Sequence, residues 1–225
     1  MRTKDWKPAL TARVLLISED PNLQWSDSLP DYPHFADYYF RKIPRDHGER
    51  SRYVEACDLF DMIEYLSNNE YSPNEVLITH LCNDSLERAP KGKKTLIPPF
   101  MAIKGVEHIR WILEQNPTIE CIFSCSMQTN YWLQEAGLIP AHKEYLKGAE
   151  PRRTGKQNDP PYYQPVNAKV FAEICGKETF LIDKPDVRVF PLLPVRDFPL
   201  RERNAEQYAE VYRQIRHTFN KEKAE

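Results

Sequence analysis

Glycine, net charge and long apolar runs are all scarce in this chain. Its 225 residues include seven glycines against 19 prolines, a ratio that predicts long, stiffened loops more than flexible linkers. No stretch approaches the roughly 18 consecutive apolar residues of a membrane helix, and the N-terminal segment MRTKDWKPAL has no apolar signal-peptide core. We therefore expect a cytoplasmic protein with no membrane partner.

The five cysteines argue against two common kinds of cysteine site. They are odd in number, scattered, and include no CxxC pair, which disfavours both a disulfide framework and a zinc ribbon. Cys121 and Cys125 fall in an apolar run, where small buried thiols are common, so a structural role is favoured. The net charge of −2 gives no overall electrostatic case for nucleic acid, and any DNA contact must come from local patches.

What the chain does contain is a regular alternation of strand and helix patterns. Apolar, β-prone runs predict four strands, at 13–18, 75–81, 119–124 and 186–190. Helical spacing of apolar residues predicts helices at 53–66, 102–115, 127–136, near 166–175, and at 203–219. This order predicts one α/β domain over residues 1–225, with a parallel sheet between helices and a long surface insertion at 141–165.

Polar residues follow each predicted strand, where the active site of such a sheet is expected. They are Glu19, Asp20 and Asn22 after the first strand, Asn83 and Asp84 after the second, Ser124 and Ser126 at the third, and Arg196 and Asp197 beyond the fourth. The sequence has no Walker loop, GxGxxG, HExxH or GxSxG motif. We therefore expect acid chemistry without a cofactor and without a metal.

The order of these parts resembles the uracil-DNA glycosylase superfamily. In that family the first strand ends in a motif such as GQDPYH or GEAPG, the second in an Asn-bearing segment, and the last in a HPSP-like loop. The corresponding stretches here are 18–22, 79–84, 122–133 and 191–199. The resemblance implies a three-layer α/β/α sandwich with a central, mostly parallel, four-stranded sheet. Three features depart from the family: Ser18 replaces the opening glycine, the final-loop histidine is missing, and there are no iron–sulfur cysteines.

The resemblance also implies catalytic roles. The family's acid stands at the second or third motif position, and this chain has an acid at both, Glu19 and Asp20. Either carboxylate can orient a water or stabilise the positive sugar that forms as the glycosidic bond breaks. Without the final-loop histidine, the leaving base needs another donor, for which Arg196 or a backbone amide is the candidate.

Base and DNA contacts follow from the same resemblance, because a glycosylase must extrude its base from the duplex. Asn83 is the candidate for reading the base edge, Phe35 for stacking (with Tyr32 and Trp25 as alternatives), and Asn22 and Ser126 complete the predicted base pocket. Two basic loops are candidates for phosphate contact, and they contain Lys91, Lys93, Lys94, Arg152, Arg153 and Lys156. Leu193 is the candidate for filling the gap in the base stack, although it and Leu192 are equally compatible with the core.

The sequence therefore predicts a monofunctional DNA glycosylase that removes a modified or damaged base, with DNA as its partner and no obligate protein partner. Divergent motifs and long loops favour a base other than plain uracil, either a deaminated or damaged base or a bulky modified pyrimidine of phage DNA. Three alternatives stay open: a DNA- or protein-binding module with a degenerate site, a small-molecule nucleoside hydrolase, and a nuclease with Mg²⁺ held by Asp20, Asp84 and Asp197.

Overall fold

A computed structural model of the chain describes residues 12–19, 63–72, 75–82, 97–142, 151–152, 162–163, 171, 173–192 and 205–222. The strands are β1 (Val14–Ser18), β2 (Val76–His80), β3 (Cys121–Cys125), β4 (Pro151–Arg152), β5 (Tyr162–Tyr163), β6 (Thr179–Phe180) and β7 (Arg188–Leu192). The helices are α1 (Pro99–Gln115), α2 (Met127–Glu135) and α3 (Ala205–Glu222), and residues 63–66 are also helical. The predicted α/β class is confirmed.

The main sheet has five strands in the order β2-β1-β3-β7-β6. The first four are parallel, and β6 runs antiparallel to β7 at the edge. The prediction of a mostly parallel sheet is confirmed, whereas the prediction of four strands is wrong. The additional strand is only two residues long, which is too short to show a period-two pattern in the sequence.

The end of β7 also differs from the prediction, because the strand continues through Pro191, where the sequence pattern predicts a loop. β6 pairs only with Arg188 and Val189. At Pro191, the backbone oxygen accepts from Gly176 N–H at 2.7 Å on the outer side of β7, so the proline nitrogen also faces away from β3. A proline at such a place removes no hydrogen bond between strands.

Aromatic side chains attach α3 to one face of the sheet. Phe123 and Phe190 are direct partners on adjacent strands, with ring centroids 5.8 Å apart. Phe219 of α3 lies 5.4 Å from Phe190 and 5.9 Å from Tyr71, and all four rings are buried. Full burial of one such side chain is worth roughly 1.5–3 kcal/mol, so this cluster is a main source of stability for the face.

Charged residues gather at the opposite end of the strands from the candidate site. Arg13 donates to Glu75 and Glu120, and Tyr71 Oη donates to Glu120 at 3.1 Å. Arg188 donates to Tyr71 Oη at 3.2 Å, and its guanidinium lies 4.3 Å from the ring centroid of Phe219. These contacts link the strands to α3 at the amino edge.

Three further features concern the surface, the ends of the strands and the character of the helices. Within the predicted 141–165 insertion, β4 and β5 form an antiparallel pair. Gly105 of α1 packs directly against the backbone of Leu81, the residue that follows β2. None of the described helices combines the length and the apolar character needed to cross a bilayer.

Candidate active site

The four parallel strands end at one edge of the sheet, and β1 lies between β2 and β3. Glu19 follows β1 directly at this edge. Its backbone oxygen accepts from Cys82 N–H at 2.9 Å, which extends the β1–β2 ladder beyond the strands. Ser126 follows β3, and its N–H donates to the backbone oxygen of Leu192 at 2.8 Å. Glu19 and Ser126 therefore stand at the ends of neighbouring strands, as the sequence pattern predicts.

The carboxylate of Glu19 acts electrostatically on the end of β3. Burial raises the pKa of the Cys125 thiol, and the neighbouring Cys175 thiol and Glu19 carboxylate raise it further. This raised pKa keeps the Cys125 thiol protonated near neutral pH, which disfavours a role as a nucleophile. Glu19 itself is partly exposed, and it follows an interior strand of the sheet.

A histidine also lies at this edge, and the strand pattern alone does not mark it as functional. His80 is the last residue of β2, it is buried, and it pairs in register with Ser18. A hydrogen bond joins Ser18 Oγ and His80 Nδ1. Burial lowers the pKa of His80 to about 3, so its imidazole is neutral at pH 7. The one signal in the sequence is a titratable side chain at the end of a mostly apolar strand.

Ser126 begins α2 from a backbone conformation that is rare outside glycine. Its φ of 107° and ψ of 160° lie in a region that costs a non-glycine residue about 1–3 kcal/mol. Its buried Oγ accepts from Thr129 N–H at 3.2 Å and so caps the helix. The side chain predicted to bind the base is thus engaged in capping in this structure, and its contact with a base stays a prediction.

Asn130 secures this conformation from the first turns of α2. Its Nδ2 donates to the backbone oxygens of Ser126 at 2.7 Å and Ser124 at 3.0 Å. Asn130 is fully buried, and its Oδ1 has no hydrogen-bond partner among the described residues. The amide therefore ties the strand end to the helix start at the edge where the candidate site lies.

α2 as a whole is a polar helix that is almost entirely buried, including Gln128, Thr129, Asn130 and Gln134. Gln128 Oε1 accepts from Ile97 N–H at 2.8 Å, two residues before α1 begins. Gln134 Oε1 accepts from His142 N–H at 2.8 Å. Sequence reasoning missed these residues, because polar positions of a helix are expected to face solvent.

Most other predicted site residues lie outside the described residues. These are Asp20 and Arg196 (catalytic), Asn22, Phe35 and Asn83 (base-binding), and Lys91, Lys93, Lys94, Arg153, Lys156 and Leu193 (DNA-binding), together with the alternatives Trp25, Tyr32, Asp84 and Asp197. Arg152 lies in β4. Leu192, the neighbour of Leu193, is fully buried at the end of β7 and belongs to the core.

The described part of this edge combines a carboxylate, a neutral imidazole and a capped helix start. A carboxylate held in a partly desolvated position can stabilise positive charge that develops on a sugar, or it can orient an attacking water. Within the described ranges, no three His, Cys, Asp or Glu side chains are grouped so that they could hold a metal ion.

No protein-family model matches this chain, and no curated protein matches its sequence. We therefore infer the function of the protein from the geometry of the sheet edge and from the motifs that follow its strands.

Proposed function

We propose that this protein is a DNA glycosylase that hydrolyses the N-glycosidic bond of a flipped-out modified or damaged base. The observation that carries the proposal is the position of Glu19, directly after the interior strand β1 and between the ends of β2 and β3. The resemblance to uracil-DNA glycosylases requires the motif acid at this place. The segments matched to the family's other motifs (79–84, 122–133 and 191–199) include the carboxyl ends of β2, β3 and β7, which lie at the same edge of the sheet.

The layer arrangement of that family is part of the proposal. Tyr71, which follows the helical residues 63–66, contacts Phe219 of α3, so these two elements share one face. β2 and β3 lie on opposite sides of β1, and crossovers between parallel strands are almost always right-handed. The crossover that contains α1 then runs over the other face, where α1 and α2 contact each other. This supports helices on both faces, as a three-layer sandwich requires.

In the proposed hydrolysis of the glycosidic bond, each candidate site residue has one role. As the base leaves, the sugar gains oxocarbenium character, and the Glu19 carboxylate stabilises this charge or directs a water to the anomeric carbon. Asp20 is the second candidate for that water, and Arg196 is the candidate donor to the departing base. Asn83 and Phe35 are the proposed contacts to the flipped base, and the basic loops are the proposed contacts to phosphate.

Base release followed by alkaline cleavage tests the proposal directly. Purified protein is incubated with DNA containing uracil, hypoxanthine, hydroxymethylcytosine or glucosylated hydroxymethylcytosine, and the strands are then treated with alkali. We expect alkali-dependent breaks on at least one substrate and a loss of at least about 100-fold for Glu19→Gln. Glu135→Gln is the matched control, because Glu135 is exposed at the far end of α2 and should leave the rate unchanged.

Three other outcomes would refute the proposal in different ways. DNA binding without breaks on any substrate, equal in wild type and Glu19→Gln, would favour a non-catalytic binding module. Release of a base from free nucleosides but not from DNA would favour a small-molecule hydrolase. Breaks that appear without alkali and disappear with a chelator would favour a metal-dependent nuclease.

A further inference from the structure

Two polar side chains close the last rung between β1 and β2. Ser18 and His80 are register partners, and a hydrogen bond joins Ser18 Oγ to His80 Nδ1. One rung earlier on the same face, Leu16 pairs with Ile78, so the polar pair lies where the apolar core meets the candidate site. His80 is 6% exposed, and it is therefore held in the protein and not displayed to solvent.

This pair is connected to Glu19 by the backbone. Ser18 precedes Glu19 directly, and the backbone oxygen of Ser18 accepts from Leu81 N–H at 2.8 Å. The backbone oxygen of Glu19 accepts from Cys82 N–H at 2.9 Å. Leu81 and Cys82, the two residues after His80, thus donate to the two backbone oxygens at the point where the chain leaves β1. The Ser18–His80 hydrogen bond joins the same two strand ends through side chains.

The charge state of the imidazole limits what it can do. Burial keeps His80 neutral at pH 7, since its pKa is lowered to about 3. A neutral, buried imidazole holds a hydrogen bond in one geometry but does not supply a positive charge to a leaving base. Its contribution to catalysis then passes through the groups it contacts, among which Ser18 directly precedes Glu19.

We propose that His80, acting through Ser18, is a positioning residue that holds the carboxylate of Glu19 in its catalytic place. This inference rests on the proposed glycosylase function and adds to it a residue outside the predicted site. A misplacement of about 1 Å at a reacting group can lower a rate by roughly 100-fold. Loss of the Ser18–His80 bond should therefore lower the rate of the chemical step without weakening DNA binding.

The test is a double-mutant cycle on the DNA substrate that the wild type cleaves. Single-turnover rates and Kd values are measured for His80→Leu and His80→Asn, each alone and together with Glu19→Gln. Asparagine carries a polar atom as many bonds from Cα as histidine Nδ1, so it can keep the bond to Ser18. His108→Leu is the control, because His108 lies within α1 and stacks on Trp111, away from the strand ends.

We expect His80→Leu to lower the rate by about 10- to 100-fold with Kd within about threefold, and His80→Asn to restore most of that rate. In the Glu19→Gln background, His80→Leu should cause no additional loss, because the positioned group is already inactive. If His80→Leu does not fold, Ser18→Ala removes the same bond from the smaller partner and takes its place in the cycle.

With an active wild type, four results would overturn this inference alone. They are no loss for His80→Leu, an equal loss for His80→Leu with and without Glu19→Gln, an equal loss for His80→Leu and His80→Asn, and a loss confined to Kd. A wild type that releases no base from any DNA overturns the proposed function, and the inference with it.

Discussion

Replacement of Gly105 by alanine measures how closely α1 is held against the end of β2. A Cβ at this position would overlap the backbone oxygen of Leu81 and would lie 2.7 Å from its carbonyl carbon and 3.2 Å from its Cα. Carbon atoms in favourable contact are about 3.5–4.0 Å apart. Because the overlap with the oxygen must also be relieved, the helix would have to move by more than about 1 Å, against backbone atoms that cannot rotate away.

Two effects of opposite sign set the magnitude. Alanine favours a helix over glycine by about 1 kcal/mol. Overpacking in a well-packed core costs about 1–3 kcal/mol and occasionally more, and a clash with backbone belongs at the upper end of that range. We expect Gly105→Ala to lower the free energy of unfolding by about 2 kcal/mol, which for a chain of this size lowers Tm by about 4–8 °C.

Thermal and urea unfolding, followed by circular dichroism, measure this change. Lys104→Ala is the matched control, because Lys104 is exposed on the same turn and its replacement creates no clash. Leu81 lies between His80 and Cys82, so a displacement there should also lower any base-release activity. A Gly105→Ala variant as stable as Lys104→Ala would refute the close approach of α1 to the end of β2.

Three further predictions concern stability. Ser126→Gly should raise the free energy of unfolding by about 1 kcal/mol, because glycine relieves the strained φ. Ser126→Ala keeps the strained φ and loses the helix cap, so it should lower the free energy of unfolding by about 1 kcal/mol. Urea unfolding that ranks the two variants in the reverse order would contradict this prediction. Between pH 6.5 and 3, His80 is protonated in the unfolded chain but not in the folded chain. The free energy of unfolding of the wild type should therefore fall by up to about 1.4 kcal/mol per pH unit as the pH decreases, more steeply than that of His80→Asn. Equal slopes for the two proteins in urea unfolding between pH 7 and 5 would show that this imidazole titrates normally. Arg188→Met should lower the free energy of unfolding, measured by thermal unfolding, by about 1–3 kcal/mol, because Arg188 stacks on Phe219 and donates a hydrogen bond at the amino edge. The control is Arg213→Met, which removes an exposed ion pair and should change the free energy of unfolding by less than about 0.5 kcal/mol.

Much of the fold could be predicted from the sequence, because it depends on local patterns. The runs in β1, β2 and β3 are mostly apolar and are separated by segments with helical spacing, which is sufficient to predict a parallel α/β sheet. Topology then places residues that follow the strands at one edge, and Glu19 is found there. Boundaries were less accurate: α1 begins at Pro99 instead of 102, since proline is favoured in the first turn of a helix.

Other features required the tertiary structure, because their cause lies far away along the chain. β6 is a strand only because β7 lies beside it, and Pro191 stays in β7 only because β6 has already ended. The polar side chains of α2 can be buried because they hydrogen-bond to backbone groups of other segments, as Gln128 does with Ile97 N–H. No period in a single segment encodes such partners.

The candidate site likewise has one part that local sequence predicts and another that depends on the tertiary structure. The sequence by itself determined that an acid would stand at the end of β1, since a strand pattern and the residue after it are local properties. Only the tertiary structure decided that His80 would lie beside Ser18, 62 residues earlier, and that burial would keep it neutral. The physical reason is that a hydrogen bond between strands and the desolvation of a side chain depend on which segments pack together, and packing is a property of the whole fold.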